Sequence, residues 1–288
     1  MDTPRRIGDA TDILGEGPVW CPRAQALWWV DIQAPAVRRW QAATGAVRSW
    51  TMPEPVGSLA LRGGGLLVAL KRGLAFLDTD TGALTPAAPP HGEDADMRFN
   101  DGRCDRQGRF WAGTMGEANP TPRGHLYRLD PATGVAAVLH GIAIPNGLCW
   151  SPDGRTMYFA DSPTRTILAF AYDPATGALG ERRVFARVAP PGIPDGAIVD
   201  AEGYMWSAEY GGGRITRYAP DGRVDRRLAL PVSQPTCCAF GGPDLSTLFV
   251  TCARAGLSAA TLAAEPLAGA VLAYEPGVRG LPEPCYAG

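Results

Sequence analysis

Four side chains able to bind a metal or a sugar stand at one phase of an internal repeat. They are Glu16 in LGEGPVW, Asn100 in RFNDGRC, Asn146 in IPNGLCW and Asp195 in IPDGAIV. Each precedes a short aromatic or apolar core by ten to twelve residues: Trp28-Trp29, Phe110-Trp111, Met157-Tyr158-Phe159 and Met205-Trp206. Residues at one phase of a repeat occupy one place in each structural unit, so units set around an axis bring these four side chains together. Two carboxylates in an apolar-walled channel are costly unless paired or bound to metal, and no lysine adjoins these motifs. A divalent cation would balance Glu16 and Asp195. The oxygen-only donors suit Ca²⁺ first, then Mg²⁺ or Mn²⁺. Zinc accepts carboxylates too, but His91, His125 and His140 all miss the repeated phase. The matching positions in two further units are Val56-Gly57 and Pro235-Thr236, so the mouth should have a polar side and a plainer one. Arg98 lies two residues before Asn100, which on a strand puts both on one face. It could grip a carbonyl or hydroxyl oxygen; the alternative is a surface pair with Asp94 or Asp96.

The elements that must position these residues are short strands. Trp28, Leu66, Phe110, Tyr158, Trp206 and Leu248 mark six cores spaced 38, 44, 48, 48 and 42 residues apart. A second register follows each core: residues 37–50, 74–87, 125–138, 167–184, 214–228 and 270–283. Each reads as strand, then a Thr-Gly, Asp-Gly or Pro-Gly turn, then strand, with glycine supplying positive φ. Four short strands in roughly 45 residues is the period of a propeller blade. The fold expected is all-β: one six-bladed β-propeller over residues 1–288, four antiparallel strands per blade. A helical solenoid lacks its periodicity here, and a two-domain sandwich does not explain six phased copies. The stretch 256–268 could form a turn or two of helix inside the last blade, and 86–96 reads as a loop.

Composition narrows the function. The formal net charge is −2 with no basic run, which argues against nucleic acid. No stretch approaches the ~20 apolar residues of a membrane span. The N-terminal MDTPRRIGDATDILGEG shows no apolar signal region. The seven cysteines form no CxxC pair and read as reduced thiols of a cytoplasmic protein.

From LGEGPVW through RFNDGRCDRQGRFWAGTM, PNGLCWSPDGRTMYFADS and IPDGAIVDAEGYMW to FGGPDLSTLFVTCA and the closing CYAG, the chain resembles the senescence-marker-protein/regucalcin/gluconolactonase family, which includes luciferin-regenerating enzyme. The resemblance covers nearly the whole chain in order. It implies a six-bladed propeller with one divalent metal in the central channel, held by Glu16, Asn146 and Asp195. It implies substrate binding by Arg98, Asn100 and Glu117, and hydrolysis of aldonolactones. Family members are reported with Ca²⁺, Zn²⁺, Mn²⁺, Mg²⁺ or Fe²⁺, so the ion stays open. Some members carry a second acid after the position of Glu117, where this chain has Ala118, and the segment ANPTPRG that follows is short; both bear on which sugar fits. The reaction expected is metal-assisted ester hydrolysis with Asp195 as general base. No GxSxG elbow is present to support a serine route. The expected substrate is a sugar lactone taken by a monomer. The alternatives are another esterase or phosphotriesterase on the same scaffold, or a non-catalytic calcium-binding regulatory protein.

Overall fold

The computed structural model describes residues 4–88 and 94–288. His91 lies outside them. The described strands form six separate four-stranded antiparallel sheets, the blades of a propeller. The innermost strands of the six sheets are Gly15–Cys21, Val56–Arg62, Met97–Cys104, Pro145–Trp150, Ile193–Val199 and Pro235–Gly241. All six are almost wholly buried, as strands covered on both faces must be. The six aromatic or apolar cores fall on the second strands, Ala26–Asp31, Gly65–Leu70, Phe110–Gly116, Thr156–Asp161, Met205–Tyr210 and Thr247–Cys252.

Hydrophobic packing follows the seams between blades. Six buried clusters each join two neighbours. Trp28 and Trp50 of blade one stack at 5.2 Å between centroids, in the seam with Leu59, Leu66 and Val68 of blade two. Each fully buried Leu, Val or Ile contributes about 1.5–3 kcal/mol. The ring is therefore held by side chains that the second-strand repeat supplies.

Two features differ from the sequence expectation. The last register, 270–283, yields one strand, Val271–Tyr274, and no partner after its turn. The outer strand of blade six is instead Arg5–Ile7, paired antiparallel with Val271–Ala273. Ile7 buries its side chain beside Val271 and Phe249, so the N-terminal segment closes the ring. The freed tail runs on across one end of the channel. Residues 86–88, read as loop, belong to the strand Leu84–Ala88. The expected helical insertion is present as Ala259–Ala264, where the Ser258 side chain accepts from Thr261 N and caps the first turn.

Candidate active site at the channel mouth

The repeated phase is the start of each innermost strand, and there every blade makes the same irregularity. Between Glu16 and Val19 the inner strand spends three residues where its partner spends two, Val30 to Trp28. The same extra residue occurs at Phe99–Gly102, Asn146–Cys149 and Pro194–Ala197. Shorter versions occur at Val56–Ser58 and Pro235–Cys237. A bulge bends its strand and re-aims a side chain. Gly17 and Gly147, directly after Glu16 and Asn146, sit at φ +54° and +67°, a region that favours glycine. This is why the motifs read Glu-Gly and Asn-Gly.

Glu16, Asn100, Asn146 and Asp195 are all buried, and the polar ones are linked. Arg98 Nη1 donates to Asn100 Oδ1 at 2.7 Å and to Phe99 O at 3.0 Å. Asn100 Nδ2 donates to Asn146 Oδ1 at 3.0 Å and to Pro145 O at 3.1 Å. Asn146 Nδ2 donates to Ser162 Oγ at 2.8 Å, and Ser162 Oγ donates to Pro194 O at 2.7 Å. The relay crosses blades three, four and five and ends beside Asp195. It anchors both amides, with their orientations assigned from these bonds, and the Asn146 oxygen accepts from Asn100.

Arg98 is therefore no surface group. Asp94 and Asp96, its alternative partners, pair with Arg123 instead. That pairing clasps the segment after Glu117 to the loop before Arg98, helped by Glu117 N donating to Asp96 O at 2.7 Å. At the rim the fold brings in the one lysine of the chain. Lys71 Nζ meets Glu117 Oε2 at 2.6 Å. Lys71 follows the second strand of blade two and is 46 residues from Glu117; no local motif could have announced it.

Electrostatics set this mouth apart. Burial, with the nearby Asp101 charge adding to it, raises the Glu16 carboxyl to about 8. Burial and the neighbouring Glu16 raise Asp195 well above the carboxylate range. Each carboxyl thus raises the cost of ionising the other. Asp101 is a third buried acid. Burial raises it as well, and its Oδ2 accepts from Leu148 N at 3.0 Å. Sequence reasoning passed over Asp101, although it adjoins Asn100, and over Ser162; their roles depend on contacts between blades.

The charge balance tests whether a cation fits. The buried charged side chains on the six inner strands are Glu16, Arg98, Asp101, Arg103 and Asp195. Glu283 of the tail adds its carboxylate against Arg103. Four acids and two guanidiniums leave a formal −2, which one divalent cation would cancel. Among the described residues no three His, Cys, Asp or Glu side chains cluster as a metal cage. The candidate set is two carboxylates and the carboxamide of Asn146, an oxygen-only set that fits a hard cation.

On the side of blades two and six, Val56 is buried, and Thr236 Oγ1 is turned to Gly15 O at 2.5 Å and Thr251 Oγ1 at 2.9 Å. Those positions stitch blades together and leave the chemistry to the other four.

Comparison with known proteins agrees with this architecture. The profile of the SMP-30/Gluconolactonase/LRE-like region matches residues 14–254. An L-arabinolactonase of Azospirillum brasilense is 41% identical, covering 98% of this chain and 95% of its own. A 6-deoxy-6-sulfogluconolactonase of Pseudomonas putida is 40% identical, covering 96% of each. The crystal structure of a calcium-binding protein, regucalcin, from Agrobacterium tumefaciens superposes with a TM-score of 0.94 at 35% identity, covering 99% of this chain and 97% of that one.

Proposed function

The chain belongs to the SMP-30/gluconolactonase/LRE-like family, and from that premise we propose that it hydrolyses a sugar lactone to the open aldonic acid with a divalent cation at the channel mouth. The observation that carries this reading is a buried relay from Arg98 through Asn100 and Asn146 to Ser162, ending on Pro194 O beside Asp195, at a mouth that also buries the Glu16 carboxyl. Two relatives named as lactonases support the reaction class. The Agrobacterium relative named as calcium-binding supports Ca²⁺ as first choice, with Zn²⁺, Mn²⁺, Mg²⁺ and Fe²⁺ as the ions to test against it.

Glu16, Asn146 and Asp195 would hold the cation, which when bound supplies Lewis-acid polarisation of the lactone carbonyl. Asp195 takes the proton of the attacking water on its carboxylate as oxygen adds to the carbonyl carbon. The ring C–O bond then breaks, and the same proton passes from Asp195 to the leaving alkoxide. Arg98 and Asn100 hold the substrate's oxygens, and that positioning lowers the entropic part of the barrier. Glu117, steadied by Lys71, accepts from a ring hydroxyl at the rim.

The protein works as a monomer in the cytoplasm on this reading. All seven cysteines are free thiols, which suits a reducing compartment. Among the described residues no helix is long and apolar enough to cross a membrane.

The test is a pH-stat assay of a lactone panel, with a phosphotriester included, on chelated protein to which single ions are returned. Chelation is expected to abolish lactone hydrolysis and one ion to restore it. Full activity after chelation, with metal absence established by elemental analysis, would overturn the cation's role. Turnover of the phosphotriester alone would favour the rival esterase. Cation binding without turnover of any ester would favour a regulatory protein.

A further inference from the structure

The inner strand Met97–Cys104 carries Arg98 and Asn100 at the mouth and Arg103 toward its other end. Arg103 lies three positions beyond Asn100, at most about 10 Å of strand. At this far end the C-terminal tail spans the axis. Ala201 N donates to Arg279 O at 2.9 Å and Gly280 N to Leu245 O at 2.8 Å, tying the tail to blades five and six. Tyr286 N donates to Leu61 O at 2.7 Å and Ala287 N to Gly108 O at 3.0 Å, tying it to blades two and three. Between these anchors, Glu283 faces the channel. Arg103 Nη1 donates to both its carboxylate oxygens at 2.9 Å, with the two side chains only 6% and 10% exposed. Leu281, Glu283 and Pro284 leave beside them a cavity of about 20 Å³, room for about one water. Both charged side chains are buried at this end, so their charges are weakly screened.

We propose that Glu283 acts as a positioning residue through Arg103: by neutralising that guanidinium it keeps a fixed positive charge from opposing a divalent cation held by Glu16, Asn146 and Asp195. This inference rests on the cation reading above. Arg103 is two residues from Asp101, the third acid of the mouth, so an uncompensated Arg103 would turn its field on the cation site. A unit charge at about 10 Å in an effective dielectric of 20 to 40 changes a divalent cation's affinity by tenfold or more. The tail is then part of the site, although its sequence lies 180 residues from Arg103.

The experiment is calorimetric titration of chelated protein with Mn²⁺ or Ca²⁺. Wild type, Glu283→Gln and the double variant Arg103→Met with Glu283→Gln are compared, each checked for folding by melting curve. Glu283→Gln is expected to bind the cation about tenfold more weakly, and the double variant to return to within about threefold of wild type. A tail that only seals the channel predicts the same loss in both variants, and that result would overturn the proposal. Wild-type affinity in Glu283→Gln would overturn it as well. If Glu283→Gln does not fold, the double variant decides alone: binding near wild type upholds the proposal, and lost binding defeats it. A wild-type protein that binds neither ion removes the cation reading and this inference together.

Discussion

The two ends of the central channel are built on the same six strands and treat buried charge in opposite ways. At the far end, Arg103 and Glu283 meet in a fork-like pair under the tail, each charge answered by the other. At the mouth, Glu16, Asp101 and Asp195 are buried acids that burial pushes up, and the nearby Arg98 spends its Nη1 on Asn100 and Phe99 O. Burying like charges is costly, and nothing in the bulged strands requires it. The contrast teaches that the mouth is held out of electrostatic balance while the far end carries the structural pair. That is the usual trade of stability for function.

The contrast can be broken most severely at Asp195. Asp195→Asn is expected to lower kcat on any accepted lactone by about 10³-fold, since general-base catalysis is worth roughly 10²–10⁴. The same change is expected to raise the melting temperature of the chelated protein at pH 9, because it removes a buried acid whose charged form burial penalises. Near-normal kcat with cation bound would deny the base role, and a fall in melting temperature would deny the imbalance. Glu283→Gln is expected to do the reverse to stability. It strips buried Arg103 of its hydrogen-bonded carboxylate, at a cost of about 3 kcal/mol, seen as an early transition in denaturant. An unchanged midpoint would mean the far end is no structural pair.

Arg98→Lys sharpens the comparison within the mouth. Its planar fork can hold two oxygens and an ammonium cannot. The expected loss is about 1–3 kcal/mol in kcat/KM with little change in unfolding. Unaltered kinetics on every lactone would remove Arg98 from substrate binding. The smallest effect is in pH. Glu16 folds with its carboxyl at about 8 instead of 4.5, so the folded, cation-free protein holds a proton that the unfolded chain releases. Its contribution to stability is present below the unfolded value and is lost as pH rises through 8. Cation-free melting temperature should therefore drift down by a few degrees between pH 6 and pH 9. Saturating cation should remove the drift and bind more tightly at the higher pH. A flat cation-free profile would show that burial does not raise the Glu16 carboxyl.

How much was legible in the chain follows from where each signal lives. The phase shared by Glu16, Asn100, Asn146 and Asp195 is a linear property, because each blade spends nearly the same residues before its core. The Gly after Glu16 and after Asn146 is readable too, once a bulge at that phase is known. The cross-blade links are another matter. Ser162 reaches Pro194 O, Lys71 reaches Glu117, and Asn100 reaches Asn146 only after the ring has closed. The sixth blade shows the same limit. Its last register, 270–283, reads as strand, turn and strand, but the ring closes with Arg5–Ile7, whose short length carries no periodic signal.

By itself the sequence determined the blade count, the four-strand unit and the phase that sets Glu16, Asn100, Asn146 and Asp195 near the start of their inner strands, because these depend on local turn chemistry and on periodic burial. Tertiary structure alone decided which acids lack counter-charges, which arginine the tail neutralises and which lysine holds the rim. Those are consequences of distance through space, and the contacts that decide them join residues 46 to 180 positions apart.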